Sequence, residues 1–297
     1  MPVDYTTLLL RGCNADEVLN NPLLDFSLNY NEHGVVIDNK RVAKYHFCKV
    51  IVFDNGTVLF KGSLHKMYNS IKNIRAPNFS LNNTYNGFNG NTFTLENINF
   101  IIMHLEVLFQ LSRHNFVIRK IEIGLNIQVF FNPKLLIDGL LEIGGKPFEF
   151  KYNNHFAVCE KSEYYLKVYD KSNQYGLETS TIRIELKSRK TRVFQKANFN
   201  TLADLTACNL DVSLNKLLDC WNKVLMYDFT INETLLTTRQ KNALNNKFQH
   251  VKYWQSLSSN NKDKPRKAFN DIVKNYSDNI QEQIAQTIKM TKISHFN

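Results

Sequence analysis

The chain has 297 residues, 43% of them hydrophobic, which is enough to bury one large core or two ordinary ones and excludes wholesale disorder. No run approaches the roughly 18 apolar residues of a membrane span, and Met1-Pro-Val-Asp4 lacks the basic start of a secretory signal, so a soluble intracellular protein is expected. Net charge is +10 and lies toward the C-terminus: residues 188–297 carry 17 Lys+Arg against 9 Asp+Glu, while residues 1–187 carry 20 against 18.

Strands are expected from Val35 to Lys61, with Phe47–Phe53 and Thr57–Lys61 joined through Asn55-Gly56, a strong hairpin signal. Gly62-Ser63 ends the second strand, and Ser63 caps a helix to about Lys72 that carries His65 and Lys66 in its first turns. Residues 76–92, rich in asparagine, read as an irregular loop. Ile98, Ile101, Ile102, Leu105, Leu108 and Phe109 recur at helical spacing and predict a helix over 95–113.

Residues 119–131 read as a strand with Ile121, Ile123, Leu125 and Ile127 on one face and Glu122, Gly124, Asn126 and Gln128 on the other. Asn132-Pro133 starts a short helix to about Leu141, ended by Gly144-Gly145. His155–Cys159 is a short strand leading into the most informative stretch, Glu163–Lys171, which pairs after a short loop with Thr181–Lys187. Alternation in both segments puts Leu166, Val168, Ile182, Ile184 and Leu186 on an apolar face. Tyr165, Lys167, Tyr169, Lys171, Arg183, Glu185 and Lys187 share the other. Beyond Lys190 the pattern turns helical, over 202–208, 212–227, 233–257 with a break, and 266–292. The fold class is therefore α+β: a mainly antiparallel central sheet with helices on one face over residues 1–190, followed by a basic helical region over 191–297.

A strand face that sets tyrosines among lysines, an arginine and glutamates has the parts to handle a phosphodiester. A phenol is a nucleophile for phosphorus, and cations stabilise the charge that develops there. Carboxylates and a histidine are ligands for a hard divalent ion. Each part also has an ordinary use, since tyrosines in strands pack and Arg-x-Glu-x-Lys strands form cross-strand ion pairs. Glycine in a strand, as at Gly124, marks close approach of another group. Five cysteines without a CxxC pair argue against a disulfide framework or zinc ribbon and fit reduced thiols.

Leu166-Lys-Val-Tyr-Asp-Lys-Ser-Asn-Gln174 followed by Ile182-Arg-Ile-Glu-Leu-Lys187 resembles the (I/V)-Y-(D/N)-K-x-x-(Q/E) and R-x-E-(I/L)-(K/R) blocks of rolling-circle replication initiators. The closest look is to the plasmid Rep trans family and the filamentous-phage nicking initiators, relatives of the HUH endonucleases. Lys120–Ile127 is similar to the strand that brings an acidic residue to their metal, and Gly62-Ser-Leu-His-Lys66 to their G-S-x-x-K element near DNA. The likeness spans about residues 57–190 in order. It implies an HUH-like initiator, in the cytoplasm of a bacterial host, that nicks one origin strand and stays attached through a 5′-phosphotyrosine. Tyr169 is then the nucleophile, with Lys171 and Arg183 near the phosphate. Glu122, His155, Glu160 and Glu185 are the ligands of Mg2+ or Mn2+, and a host helicase and polymerase are partners. No His-hydrophobic-His triplet occurs, so the histidine pair that names the HUH class is absent.

DNA contacts are expected from Ser63, His65, Lys66, Lys167 and Lys187, and from Arg239, Lys241, Lys247, Lys252, Arg266 and Lys267 in the basic C-terminal region, which suits single-stranded and duplex origin DNA. Tyr253 and Trp254 interleave with this charge, either stacking on bases or packing a core. Two other readings use the same residues: a non-catalytic nucleic-acid-binding protein that recognises an origin or transcript, and a metal-dependent nuclease in which water is the nucleophile.

Overall fold

Strict alternation over 164–170 and 181–188 is what a sheet with one dry face requires, and both segments are strands. The structure is a computed structural model describing residues 3–28, 39–81 and 85–291. Its strands are β1 (Val3–Leu10), β2 (Phe26–Ser27), β3 (Lys40–Tyr45), β4 (Cys48–Phe53), β5 (Val58–Ser63), β6 (Phe116–Gln128), β7 (Leu140–Ile143), β8 (Lys146–Pro147), β9 (Glu149–Lys151), β10 (Phe156–Glu160), β11 (Tyr164–Asp170), β12 (Thr181–Ser188) and β13 (Val224–Met226). A ten-stranded antiparallel sheet runs in the order β2-β3-β4-β5-β1-β6-β12-β11-β10-β9, and β13-β7-β8 form a small second sheet. The helices are α1 (Ala15–Leu19), α2 (Leu64–Ile71), α3 (Leu95–Phe109), α4 (Pro133–Asp138), α5 (Lys171–Tyr175), α6 (Ala207–Trp221), α7 (Thr238–Ala243), α8 (Val251–Ser256), α9 (Asp263–Tyr276) and α10 (Ile280–Met290). The class is α+β with a mainly antiparallel sheet, as the alternation predicts.

Leu166, Val168, Ile182, Ile184, Leu186 and Ile123 are fully buried on the dry face. Burying each side chain contributes about 1.5–3 kcal/mol. A one-residue slip would turn all of them toward the polar face, so this burial fixes the register that builds the site. α6 and α10 pack against β6, and their Leu210, Leu214, Trp221, Ile284 and Ile288 join the sheet's core. Residues 231–276 build a second core around Phe248, Trp254 and Phe269. The stretch after residue 190 is thus shared between two cores.

The Asn55-Gly56 hairpin forms between β4 and β5, with Gly56 at φ +79°. Ser63 caps α2 by accepting from the Lys66 N–H at 3.0 Å. Other expectations shift. β1 was not anticipated, although it lies centrally between β5 and β6. α3 stops at Phe109 because Gln110 turns left-handed (φ +48°) and Arg113 folds back onto Glu106 at 2.7 Å. The 202–208 helix is a 3-10 turn, Leu202–Asp204, after which Thr206 caps α6. The 212–227 helix ends at Trp221, since Val224, Leu225 and Met226 are all buried and pair with β7 as a strand. Residues 233–257 break into α7, a π-helical turn at Leu244–Phe248, and α8. The last helix divides into α9 and α10 at Asn279, whose φ is +52°. Residues 35–38 of the first expected strand and Lys292 of the last expected helix lie outside the described residues.

Candidate active site

Directly opposed residues in neighbouring strands share a face, so the register of β10, β11, β12 and β6 writes three rows across the polar face. They are Glu160–Tyr165–Lys187–Glu122, Val158–Lys167–Glu185–Gly124 and Phe156–Tyr169–Arg183–Asn126. Gly124 is required in the middle row: a Cβ there would stand 2.7 Å from the Ile184 carbonyl oxygen and 2.9 Å from Glu185 Cβ. The missing side chain lets Glu185 settle between Glu122 and Asn126.

The ions interlock. Lys167 Nζ lies 2.6 Å from Glu185 Oε1 and 2.9 Å from Glu122 Oε2. Lys187 Nζ takes Glu122 Oε1 at 2.7 Å. Arg183 Nε takes Glu185 Oε2 at 2.9 Å, and the Tyr169 hydroxyl donates to the same oxygen at 3.1 Å. Arg183 also donates to Asn126 Oδ1 at 3.0 Å and faces Asp4 at 3.3 Å. Beside this cluster is a cavity of about 220 Å3, whose lining includes Asp4, Lys66, Asn89, Glu122, Tyr169 and Lys171.

Burial sets the protonation of these groups, and their neighbours correct it. Burial disfavours an ionised Glu185, yet Lys167 and Arg183 outweigh it and hold its carboxyl well below the usual range. Burial together with the Glu185 charge pushes Glu122 up to about 8. Burial and Glu185 also raise the Tyr169 phenol well above 10, so the free site keeps that hydroxyl protonated. Burial drives Lys171 well below its ordinary value, helped by Arg183. Its Nζ donates to Asn89 Oδ1 at 2.6 Å and lies 4.9 Å from the centre of the Tyr169 ring.

Several predicted site residues lie elsewhere. His155 precedes β10 and pairs through Nδ1 with Asp170 at 3.0 Å; Asp170 is on the opposite face from Tyr169 because successive strand residues alternate. Glu160 shares the polar face but is three strands from Glu122, roughly 14 Å at ordinary strand spacing, and is engaged by Arg189 and the Tyr165 hydroxyl. His65 is 3% exposed, bonded to Asn91 and stacked on Phe93, so it is a packing residue and not a surface contact. Ser63 is buried too, donating to Asp4 while it caps α2. Lys66 does line the cavity, with Nζ 2.5 Å from the Asn86 carbonyl oxygen.

The remaining pair, Glu122 and Glu185, does not fit a divalent metal as the side chains stand. All four of their oxygens are held by Lys167, Lys187, Arg183 and Tyr169, and among the described residues no three His, Cys, Asp or Glu side chains form a group that could hold a metal ion. As they stand, these two carboxylates leave no open oxygen for Mg2+ or Mn2+.

In the C-terminal region Arg239 and Lys247 line one cavity of about 950 Å3 with Lys264. Arg266 lines another, of about 710 Å3, with Lys161, Lys223 and Lys274. Lys252 lines a third, beside Tyr253. Lys241 lies in α7 and Lys267 on the exposed surface of α9. Trp254 is 1% exposed, and its indole N–H donates to the Phe248 carbonyl at 2.7 Å, which makes it core.

Two members of the site escaped sequence reasoning. Asp4 is buried, accepts from Ser63 and from Asn89 Nδ2 at 2.5 Å, and is held ionised by Arg183 against the cost of burial. A carboxylate in the otherwise strand-forming run Val3–Leu10 was its signal. Asn89 also accepts from the Tyr175 hydroxyl at 2.6 Å; it comes from the asparagine-rich loop, where nothing local marks it.

No protein-family model matches the chain, and no curated protein matches it. Among solved structures it is similar to a rolling circle replication initiator protein from Geobacillus stearothermophilus, with 11% identity, a TM-score of 0.39, and coverage of 80% of this chain and 89% of that one. A likeness that shallow carries no information about chemistry. No described helix is long and apolar enough to cross a membrane.

Proposed function

We propose that the protein is a replication initiator that nicks and rejoins one strand of origin DNA, with Tyr169 as the covalent acceptor. One observation carries this: the Tyr169 hydroxyl is hydrogen-bonded to the ionised Glu185 beside a cavity that Lys66 and Lys171 also line. Tyr169 Oη attacks phosphorus and its proton passes to Glu185. The P–O3′ bond breaks, the leaving 3′ oxygen receives that proton from Glu185 through a water, and the 5′ phosphate stays on the tyrosine. Reversal rejoins the strand. Arg183 orients Glu185, and the buried Lys171 amine offers the phosphate a hydrogen bond. The basic cavities of the C-terminal region hold the DNA backbone, and a host helicase and polymerase act on the exposed 3′ end.

The test incubates the purified protein with single-stranded oligonucleotides tiling the DNA that carries its gene, in Mn2+ and in EDTA, and looks for a denaturation-resistant protein–DNA adduct. An adduct that vanishes in Tyr169→Phe supports the reading, and no adduct with the folded wild type sinks it. An adduct that survives in Tyr169→Phe moves the nucleophile to Tyr165, which shares the face, ahead of Tyr164, which does not.

A second reading, a non-catalytic nucleic-acid-binding protein, is favoured by the strongly protonated Tyr169 and the fully engaged carboxylates. It predicts metal-independent binding with a steep salt dependence and no adduct in either condition.

A further inference from the structure

Lys167 does something its position on a strand face does not by itself require. Its side chain is 19% exposed, and its ammonium lies between two carboxylates of different strands, 2.6 Å from Glu185 Oε1 and 2.9 Å from Glu122 Oε2. The outer oxygens are closed off by Lys187 on one side and by Arg183 with Tyr169 on the other. A divalent ion shared by Glu122 and Glu185 needs the same two inner oxygens, at about 2.0–2.1 Å from each for Mg2+. It cannot take them while the ammonium is there. Nor is this a loose surface lysine that an ion displaces at no cost. Its stem is held between β10 and β12 in the row with Val158 and Glu185, and both carboxylates are buried.

We propose that the Lys167 ammonium is the resident bridging cation of this site, standing where a divalent metal between Glu122 and Glu185 would otherwise bind. The tethered charge pulls the two carboxylates together, keeps Glu185 ionised opposite the Tyr169 hydroxyl and leaves no vacancy for a metal. Its consequence for catalysis, nicking without a divalent ion, rests on the initiator reading above. Metal exclusion is a property of the free protein and does not.

Mn2+ binding to the full chain, followed by the electron-spin resonance of free Mn2+ and by calorimetry, tests it. The wild type is expected to show no Mn2+ binding that depends on Glu185. Lys167→Met, similar in length and uncharged, leaves two carboxylates facing each other, and is expected to bind one Mn2+ at least about 100-fold more tightly. The gain should disappear when Glu185→Gln is added. Wild-type binding that is lost in Glu185→Gln overturns the proposal, as does a folded Lys167→Met that gains nothing. Should Lys167→Met fail to fold, Lys167→Gln replaces it, and the wild-type titration decides alone if both fail. In the adduct assay, a wild-type adduct formed in EDTA supports the proposal and one that requires Mn2+ overturns it. Absence of any adduct sinks the initiator reading alone, while the Mn2+ titrations still decide on Lys167.

Discussion

Replacing His65 by glutamine should flatten the pH dependence of folding. The ring is 3% exposed in the first turn of α2, stacks on Phe93 with 4.5 Å between centroids, and has Nε2 2.8 Å from Asn91 Oδ1. Burial pushes its pKa down to about 3, and the nearby Asp4 carboxylate only partly opposes this. The folded chain thus keeps the ring neutral, while the unfolded chain takes up a proton near pH 6.5. Because the folded pKa is the lower one, stability from the neutral ring is fully present above 6.5 and is lost as pH falls toward about 3. At about pH 5, one and a half units below the unfolded value, the loss is about 2 kcal/mol. Urea unfolding of wild type and His65→Gln at about pH 7 and pH 5 measures it. The variant loses its ring stacking at both pH values, so the informative quantity is the change in stability between them, which should be smaller in the variant by about 2 kcal/mol. Groups common to both proteins cancel in that difference. Equal changes in the two proteins would refute the claim that this ring is buried neutral.

Gly124→Ala should cost about 1–3 kcal/mol of stability, because its Cβ meets backbone at Ile184 and the Cβ of Glu185, neither of which can swing away. A thermal melt checks this, and an unchanged midpoint would mean that β12 can move aside. Trp254→Ala should cost about 3–5 kcal/mol by emptying the second core between Phe248 and Phe269. If the variant instead melts like wild type and loses affinity for single-stranded DNA, Trp254 stacks on bases and the core assignment fails.

The residues of β6, β11 and β12 declare their two faces by period-two alternation, so Glu122, Lys167, Tyr169, Arg183 and Glu185 could be placed together before any coordinates. His155 and Glu160 are an odd number of residues apart, so strand parity alone puts them on opposite faces, and Glu160 is the one that shares the Tyr169 face. Helix ends after residue 190 were less legible. Asn279 and the buried Val224–Met226 run interrupt apolar spacing that otherwise continues, and only packing against β7 makes the latter a strand.

By itself, then, the sequence determined the strands β6, β11 and β12, their polar face and most of the charged side chains on that face, because strand alternation is a short-range property of covalent geometry. Tertiary structure decided which partners those charges have. Asp4 meets Arg183, and Asn89 links Asp4 to Lys171 and Tyr175, across separations of 80 residues or more that no local pattern encodes. It also decided that Lys167 bridges Glu122 and Glu185, since an ion pair between strands depends on register and on the space Gly124 leaves open. Alternation assigns a face; only the folded register, held by the buried dry face beneath, brings particular charges on that face within bonding distance.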